Sequence, residues 1–213
     1  MSIAVTLLCL VRHGETAWNA EGRVQGQTDV PLNVIGTVQA GAVGAALAGE
    51  RFAAIYSSDL TRVRQTAEPA AQRLGLAIRY DAALRERHYG MFETHTYLEV
   101  RERFPEDYAR FRKKELDYDF RGGESLRAFN ERALECVRSL AARHAGEAIL
   151  VFTHGGVLEM VYRHATALGL STAREFKIPN AAINWVEVTG ESWRVRRWAE
   201  RGHLERALDD LED

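Results

Sequence analysis

The chain has 213 residues, with 28 Lys and Arg against 30 Asp and Glu, for a formal net charge of −2. At roughly 150 residues per domain this is one large domain or a core carrying an insertion. A hydrophobic fraction of 46% with 27% charged residues suits a chain that buries a sizeable core, and the near-neutral balance excludes a strongly basic nucleic-acid binder and a highly charged disordered chain.

Residues 5–11 form a continuous apolar run bounded by polar residues, the pattern of a central strand buried on both faces. Residues 12–30 are polar and hold Gly14, Gly22 and Gly26, so a loop is expected there. A helix is expected to begin near Pro31-Leu32-Asn33, with Asn33 able to cap it, although Gly36, Gly41 and Gly44 weaken its intrinsic preference. Residues 53–57 predict a short strand. Residues 60–74 predict a helix with Leu60, Val63, Ala67, Ala70 and Leu74 on one stripe, ended by Gly75. Another strand is expected at 76–80. Leu126, Phe129, Ala133, Val137 and Leu140 mark a long amphipathic helix. Residues 148–153 predict a second fully apolar strand, and a helix follows from Gly155 with Val157, Val161, His164 and Leu168 on one face. Residues 182–188 and 193–199 flank Thr189-Gly190-Glu191-Ser192, a hairpin signal.

Strands alternating with helices predict an α/β fold: a three-layer sandwich around a mostly parallel sheet with one antiparallel edge element. Residues 91–121 fit the alternation poorly and are rich in aromatic and charged side chains. They are expected to form a small helical cap inserted into a single domain spanning 1–213. Cys9 and Cys136 cannot build a disulfide framework and neither belongs to a CxxC pair, so both are expected as core thiols of a reducing compartment. The apolar run 3–11 is too short to span a bilayer and no Lys or Arg precedes it, so a cytoplasmic protein with no membrane partner is expected.

Two His-Gly pairs follow the two most apolar strands: Arg12-His13-Gly14-Glu15-Thr16 and Thr153-His154-Gly155-Gly156. Ligands of open α/β sheets bind beyond the carboxyl ends of the strands, where both histidines fall. A helix starting at Gly155 directs its positive end there, suiting an anion. Arg12, and Arg62 in the first turn of its helix, add planar permanent cations that match phosphate oxygens. Two imidazoles and two guanidiniums make a pocket for a phosphoryl group. No cysteine stands five residues before an arginine, and DxDx[TV], GxxxxGK[ST] and HExxH motifs are absent. No HxH or matching carboxylate pattern supports a metal site.

The block Arg12-His13-Gly14-Glu15-Thr16-Ala17-Trp18-Asn19 resembles the signature of the histidine phosphatase superfamily, phosphoglycerate mutase-like branch. Five further blocks follow in family order: residues 22–33, Tyr56-Ser57-Ser58-Asp59-Leu60-Thr61-Arg62, Leu84-Arg85-Glu86-Arg87-His88-Tyr89-Gly90, Gly122-Gly123-Glu124-Ser125 and Thr153-His154-Gly155-Gly156. The resemblance implies metal-free phosphoryl transfer through a phosphohistidine on His13. Arg12, Arg62 and His154 would hold the non-bridging oxygens. Asn19 and Gly26 would help line the phosphate site, Gly155 would open the second helix onto it, and Glu86 would protonate the leaving alcohol. Gln25 and Asn19 could instead only order the loop, and His88 and Tyr89 could line the pocket or shore up Glu86.

The resemblance implies a small phosphorylated metabolite as substrate and no cofactor, and a homodimer is compatible with it. Relative to mutases of the family the segment before the second histidine is short. Its basic cluster is Arg112-Lys113-Lys114 rather than an arginine pair, and Gly156 stands where mutases carry Asn. This favours a phosphatase over a 2,3-bisphosphoglycerate-dependent mutase. A non-catalytic phospho-ligand binder is the remote alternative. His95, His144, His164 and His203 are expected to be structural, Lys113-Lys114 a solvated face, and residues 209–213 an acidic tail.

Overall fold

The first apolar run becomes strand β1 (Thr6–Arg12), and a computed structural model, which describes residues 4–209, sets it in the interior of a six-stranded sheet. Side chains alternate in direction along a strand. Leu8 and Leu10 therefore enter one hydrophobic cluster while Cys9 and Val11 enter another on the opposite face, and all four are fully buried. A strand covered on both faces has no solvent-facing positions, which is why its sequence shows no period of two.

Strands β2 (Ala54–Ser57), β3 (Ile78–Tyr80) and β4 (Ala148–Thr153) join by parallel pairing, and β5 (Ile183–Thr189) with β6 (Ser192–Glu200) adds an antiparallel hairpin beside β1. The order is β3-β2-β4-β1-β5-β6. Helices cover both faces, giving the expected three-layer α/β sandwich with an antiparallel edge element.

Helix α1 (Ala17–Ala20) interrupts the stretch expected to be all loop, because Thr16 and Asn19 form a reciprocal capping box. Helix α2 (Val34–Leu47) starts at Asn33, whose side chain accepts the Gly36 N–H at 2.7 Å. Helix α3 (Thr61–Leu74) ends at left-handed Gly75. Helices α4 (Tyr97–Arg103) and α5 (Pro105–Arg112) occupy the segment 91–121. Phe92, Val100, Tyr118 and Phe120 there form a separate buried cluster with Val24 of the loop after β1. Helix α6 (Leu126–Arg143) is capped by Ser125, α7 (Gly155–Ala165) stops before Leu168, and α8 (Gly202–Asp209) follows β6. His164 packs edge-on against Trp193, with ring centroids 4.8 Å apart. Residues 210–213 of the expected acidic tail lie outside the described residues.

The topology makes the crevice. β1 and β4 are parallel neighbours with Arg12 opposite Thr153. The chain leaving β1 passes through α1 into α2, whose Val43 and Leu47 pack on the Cys9 face; the chain leaving β4 enters α7, whose Val157 and Val161 pack on the Leu8 face. Departures to opposite faces open a gap beyond the strand ends. Gly14 lies there against the backbone of Gly36, too close for a Cβ on either side.

Candidate active site

His13 extends the β1 ladder by one bond, its N–H donating to Thr153 O at 3.0 Å, and His154 is the N-cap residue of α7. Their rings meet edge-on with centroids 5.3 Å apart and an interplanar angle of 63°. Both are buried, at 3% and 0% exposure. His13 Nδ1 lies 2.7 Å from Gly14 O. A carbonyl only accepts, so Nδ1 carries the proton and Nε2 keeps its lone pair. Burial first, then the Arg62 and Arg12 charges, hold His13 well below the usual imidazole range. His154 is lowered likewise, by burial and then by Arg62.

Arg62 is 1% exposed and organises the floor. It donates to Gly26 O at 2.7 Å, to Thr28 O at 2.9 Å and to His154 Nδ1 at 3.3 Å. That last bond leaves Nε2 as the protonated nitrogen of His154, donating to Ser58 Oγ at 2.9 Å. With both ring nitrogens engaged, His154 sits behind Arg62. A bond from it to a phosphate oxygen requires one of these partners to let go first, a difference from the direct contact expected of it. Burial lowers the Arg62 guanidinium to about 10 and lowers Arg12 as well. The Nε atoms of Arg12 and Arg62 are buried without a hydrogen-bond partner among the described residues.

A cavity of about 230 Å³ lies over these groups, lined by Arg12, His13, Asn19, Gln25, Gly26 and Arg62, with Glu86, Tyr89 and Tyr97 closing its far side. Asn19 Oδ1 receives Thr16 N, Thr16 Oγ1 and Asn180 Nδ2, which turns the Asn19 amide nitrogen free for a ligand. Gln25 Oε1 accepts from Thr16 Oγ1, so Gln25 both orders the loop and lines the cavity. Gly155 lies under the Arg12 guanidinium rather than on the cavity wall. His88 is corrected: its side chain is 41% exposed, sits 3.6 Å from Glu93 and lines neither cavity, because the backbone turn at Tyr89 carries the neighbouring ring inward instead. Burial pushes the Tyr89 hydroxyl well up.

Glu86 accepts the Arg87 N–H at 2.8 Å and the Gly156 N–H at 2.9 Å, so one N–H group of the first turn of α7 faces a carboxylate. A Cβ on Gly156 would collide with that carboxylate. Neither neighbouring arginine pairs with Glu86: Arg85 binds Asp59, and Arg87 donates to Glu124 O and Tyr118 O. Arg132 clasps the backbone of the segment at Ala83 O, Arg85 O and Glu86 O.

Three residues acting here carry no motif of their own. Thr66 Oγ1 receives the Gly14 N–H at 3.0 Å, and Asn180 donates to His13 O and Gly14 O. Glu93 is half-buried against the loop after β1, accepting Gln27 N, Thr28 N, Thr28 Oγ1 and Tyr89 N between 2.8 and 3.1 Å. Arg62 holds the carbonyls of that loop and Glu93 its N–H groups. Glu93→Gln is therefore expected to raise KM and the inhibition constant of inorganic phosphate by about tenfold or more, since charged hydrogen bonds contribute about 1.5–3 kcal/mol. Phosphate inhibition of the folded variant checks it; an unchanged constant with a lowered Tm would reduce Glu93 to a structural part.

Past Tyr89 and Tyr97 opens a second cavity of about 780 Å³ between α5, α7 and the chain after α7. Lys114 lines it and donates to Thr172 O at 2.7 Å, whereas Lys113 is exposed, so the expected solvated face holds for one of the pair. The aromatic residues of 91–121 divide: Phe92 is core alone, while Phe120, itself buried, joins Tyr97, Tyr108 and Phe111 in walling this cavity. Among the described residues no three His, Cys, Asp or Glu cluster as metal ligands, and no helix is long and apolar enough to cross a membrane.

A family model described as the histidine phosphatase superfamily (branch 1) matches residues 8–201. The chain is 37% identical over 203 residues to a metal-independent phosphoserine phosphatase of Arabidopsis thaliana, covering 94% of this chain and 84% of that one. It is 38% identical over 202 residues to phosphoglycerate mutase-like protein 4 of the same plant, covering 93% and 86%. The solved structure of Bacillus stearothermophilus YhfR superposes with a TM-score of 0.87 at 34% identity, covering 94% of this chain and all of that one. A match across nearly the whole length, on a fold that sets two His-Gly turns side by side, assigns this chain to branch 1 of the histidine phosphatase superfamily.

Proposed function

We propose that the protein is a phosphomonoester phosphatase working through a phosphohistidine, with His13 as nucleophile and Glu86 as proton donor. One observation carries this: His13 Nδ1 is bound to Gly14 O, so Nε2 is left bare beside two buried, partly unpaired guanidiniums. The Nε2 lone pair attacks phosphorus, the ester P–O bond breaks, and Glu86 passes its proton to the departing alkoxide. Water then attacks the phosphohistidine, giving its proton to the Glu86 carboxylate as the P–N bond breaks and phosphate leaves.

Arg12 and Arg62 neutralise the equatorial oxygens, with the amide of Asn19 and the loop at Gln25 and Gly26 completing the cradle. His154 is a positioning residue for Arg62 and His13. No metal or organic cofactor is assigned a step. Segment 91–121 is an inserted cap of a single domain, the substrate a small phosphorylated metabolite, and the compartment the reducing cytoplasm that suits two unpaired buried thiols.

A 2,3-bisphosphoglycerate-dependent mutase uses the same transfer chemistry but must keep water out. The short segment before the second histidine, and Gly156 where mutases of the family carry Asn, speak for the phosphatase. Trapping with a labelled phosphomonoester tests the intermediate: an acid-labile, alkali-stable adduct is expected, and its absence during turnover refutes the proposal. A bisphosphoglycerate-stimulated isomerisation outpacing phosphate release would transfer the assignment to a mutase. Glu86→Gln is expected to cost about 10²–10⁴-fold on alkyl phosphates and far less on 4-nitrophenyl phosphate, whose leaving group needs no proton. Equal losses on both would remove Glu86 as the acid.

A further inference from the structure

The 780 Å³ cavity lies within the range of about 300–1,000 Å³ that holds a drug-sized molecule, far beyond what a three-carbon alcohol fills. Its charges do not balance. Four cations line it, Arg87, Arg112, Lys114 and Arg174, against two carboxylates, Glu115 and Glu159. Both carboxylates are already spent. Glu115 pairs with Arg110 at 2.6 Å, and Glu159 serves buried Arg163 at 2.7 Å and Arg174 at 3.1 Å. Lys114 donates only to a backbone carbonyl. Its own burial and the neighbouring charges of Arg163 and Arg174 lower it. Arg87 is 6% exposed, takes two carbonyls with Nε and Nη2, and has no carboxylate partner among the described residues. An under-neutralised cationic wall lining a half-open chamber is stabilised by an anionic guest.

The space is continuous with the chemistry. Tyr89 and Tyr97 border both cavities, and Gly156, which holds Glu86, lines the larger one. The alcohol half of a phosphomonoester seated at His13 must pass Glu86 to be protonated, and so enters here. We propose that this enzyme selects phosphomonoesters whose alcohol half carries its own anionic group, seated between Lys114 and Arg174 at the end of a body long enough to cross the aromatic-walled chamber. The inference rests on the phosphatase reading of the first cavity.

Matched substrates test it: 4-carboxybenzyl phosphate, its neutral isostere 4-carbamoylbenzyl phosphate, and O-phospho-L-serine, which sets a carboxylate on a three-carbon body. The carboxylate is expected to exceed the amide in kcat/KM by about tenfold or more, the worth of one or two charge-assisted bonds. That ratio is expected to fall towards one in Lys114→Gln and Arg174→Gln, both surface-accessible changes outside the core. O-Phospho-L-serine is expected below the carboxybenzyl ester. A wild-type ratio near one, or a ratio unmoved in both variants, overturns the second-anion site. Phosphoserine turning over faster than the carboxybenzyl ester overturns the extended body. If no ester is hydrolysed and His13 takes no label, the phosphatase reading itself falls; label on His13 with a flat substrate ratio sinks this inference alone.

Discussion

His13→Asn is expected to lower kcat by about five to six orders of magnitude, the scale seen when a covalent nucleophile is removed, and to abolish the trapped adduct. The loss is large because no second imidazole or thiol among the described residues can take its place: His154 has both ring nitrogens engaged, and both thiols are buried elsewhere. The same substitution has a signature in stability. Both imidazoles are held neutral by burial, so their folded pKa values lie well below those of the unfolded chain. Once pH drops below about 6.5 the unfolded chain takes up protons that the native state refuses, and stability falls by up to about 1.4 kcal/mol per pH unit for each such histidine. Denaturant midpoints between pH 7.5 and 5 should therefore decline less steeply in His13→Asn than in wild type. An identical decline would mean that His13 already accepts a proton in the folded state, which is incompatible with a poised nucleophile.

Arg62→Met should cost about 10³–10⁵-fold in kcat/KM, the effect of withdrawing an arginine from a phosphoryl transition state. Two changes in the unliganded protein oppose each other. Gly26 O, Thr28 O and His154 Nδ1 lose their donor, at about 1–3 kcal/mol for a stranded buried group. Against this, a buried guanidinium with no carboxylate within ion-pair distance among the described residues disappears, and a buried charge replaced by an apolar side chain commonly gains stability. The net change without ligand is expected to stay within about 2 kcal/mol. Millimolar inorganic phosphate should raise Tm of wild type by mass action and leave the variant unmoved. A phosphate-induced shift surviving in Arg62→Met would place the anion elsewhere.

The parts of the site legible beforehand share a physical origin. The apolar runs ending at Arg12 and Thr153 announce buried parallel strands, and such strands place whatever follows them at the ligand-binding end of the sheet. Asn33 and Gly75 mark helix ends through bonds spanning three or four residues, so their signal is local. His88 misled because a turn sends adjacent side chains in different directions, and only its backbone geometry decides that Tyr89 faces the cavity. Helix α1 escaped notice because four residues leave no periodicity to read.

The chain's own order of residues determined the α/β alternation, the two His-Gly turns and the arginines beside them. Tertiary structure alone decided which nitrogen of His13 is bare, that His154 stands behind Arg62, that Glu93 and Asn180 brace loops 66 and 166 positions away, and that a cationic chamber lies past Tyr89. The first group follows from backbone hydrogen bonding and side-chain period over a few neighbours. The second follows from burial, which sets a group's proton, partner and charge by whatever distant segment is packed against it.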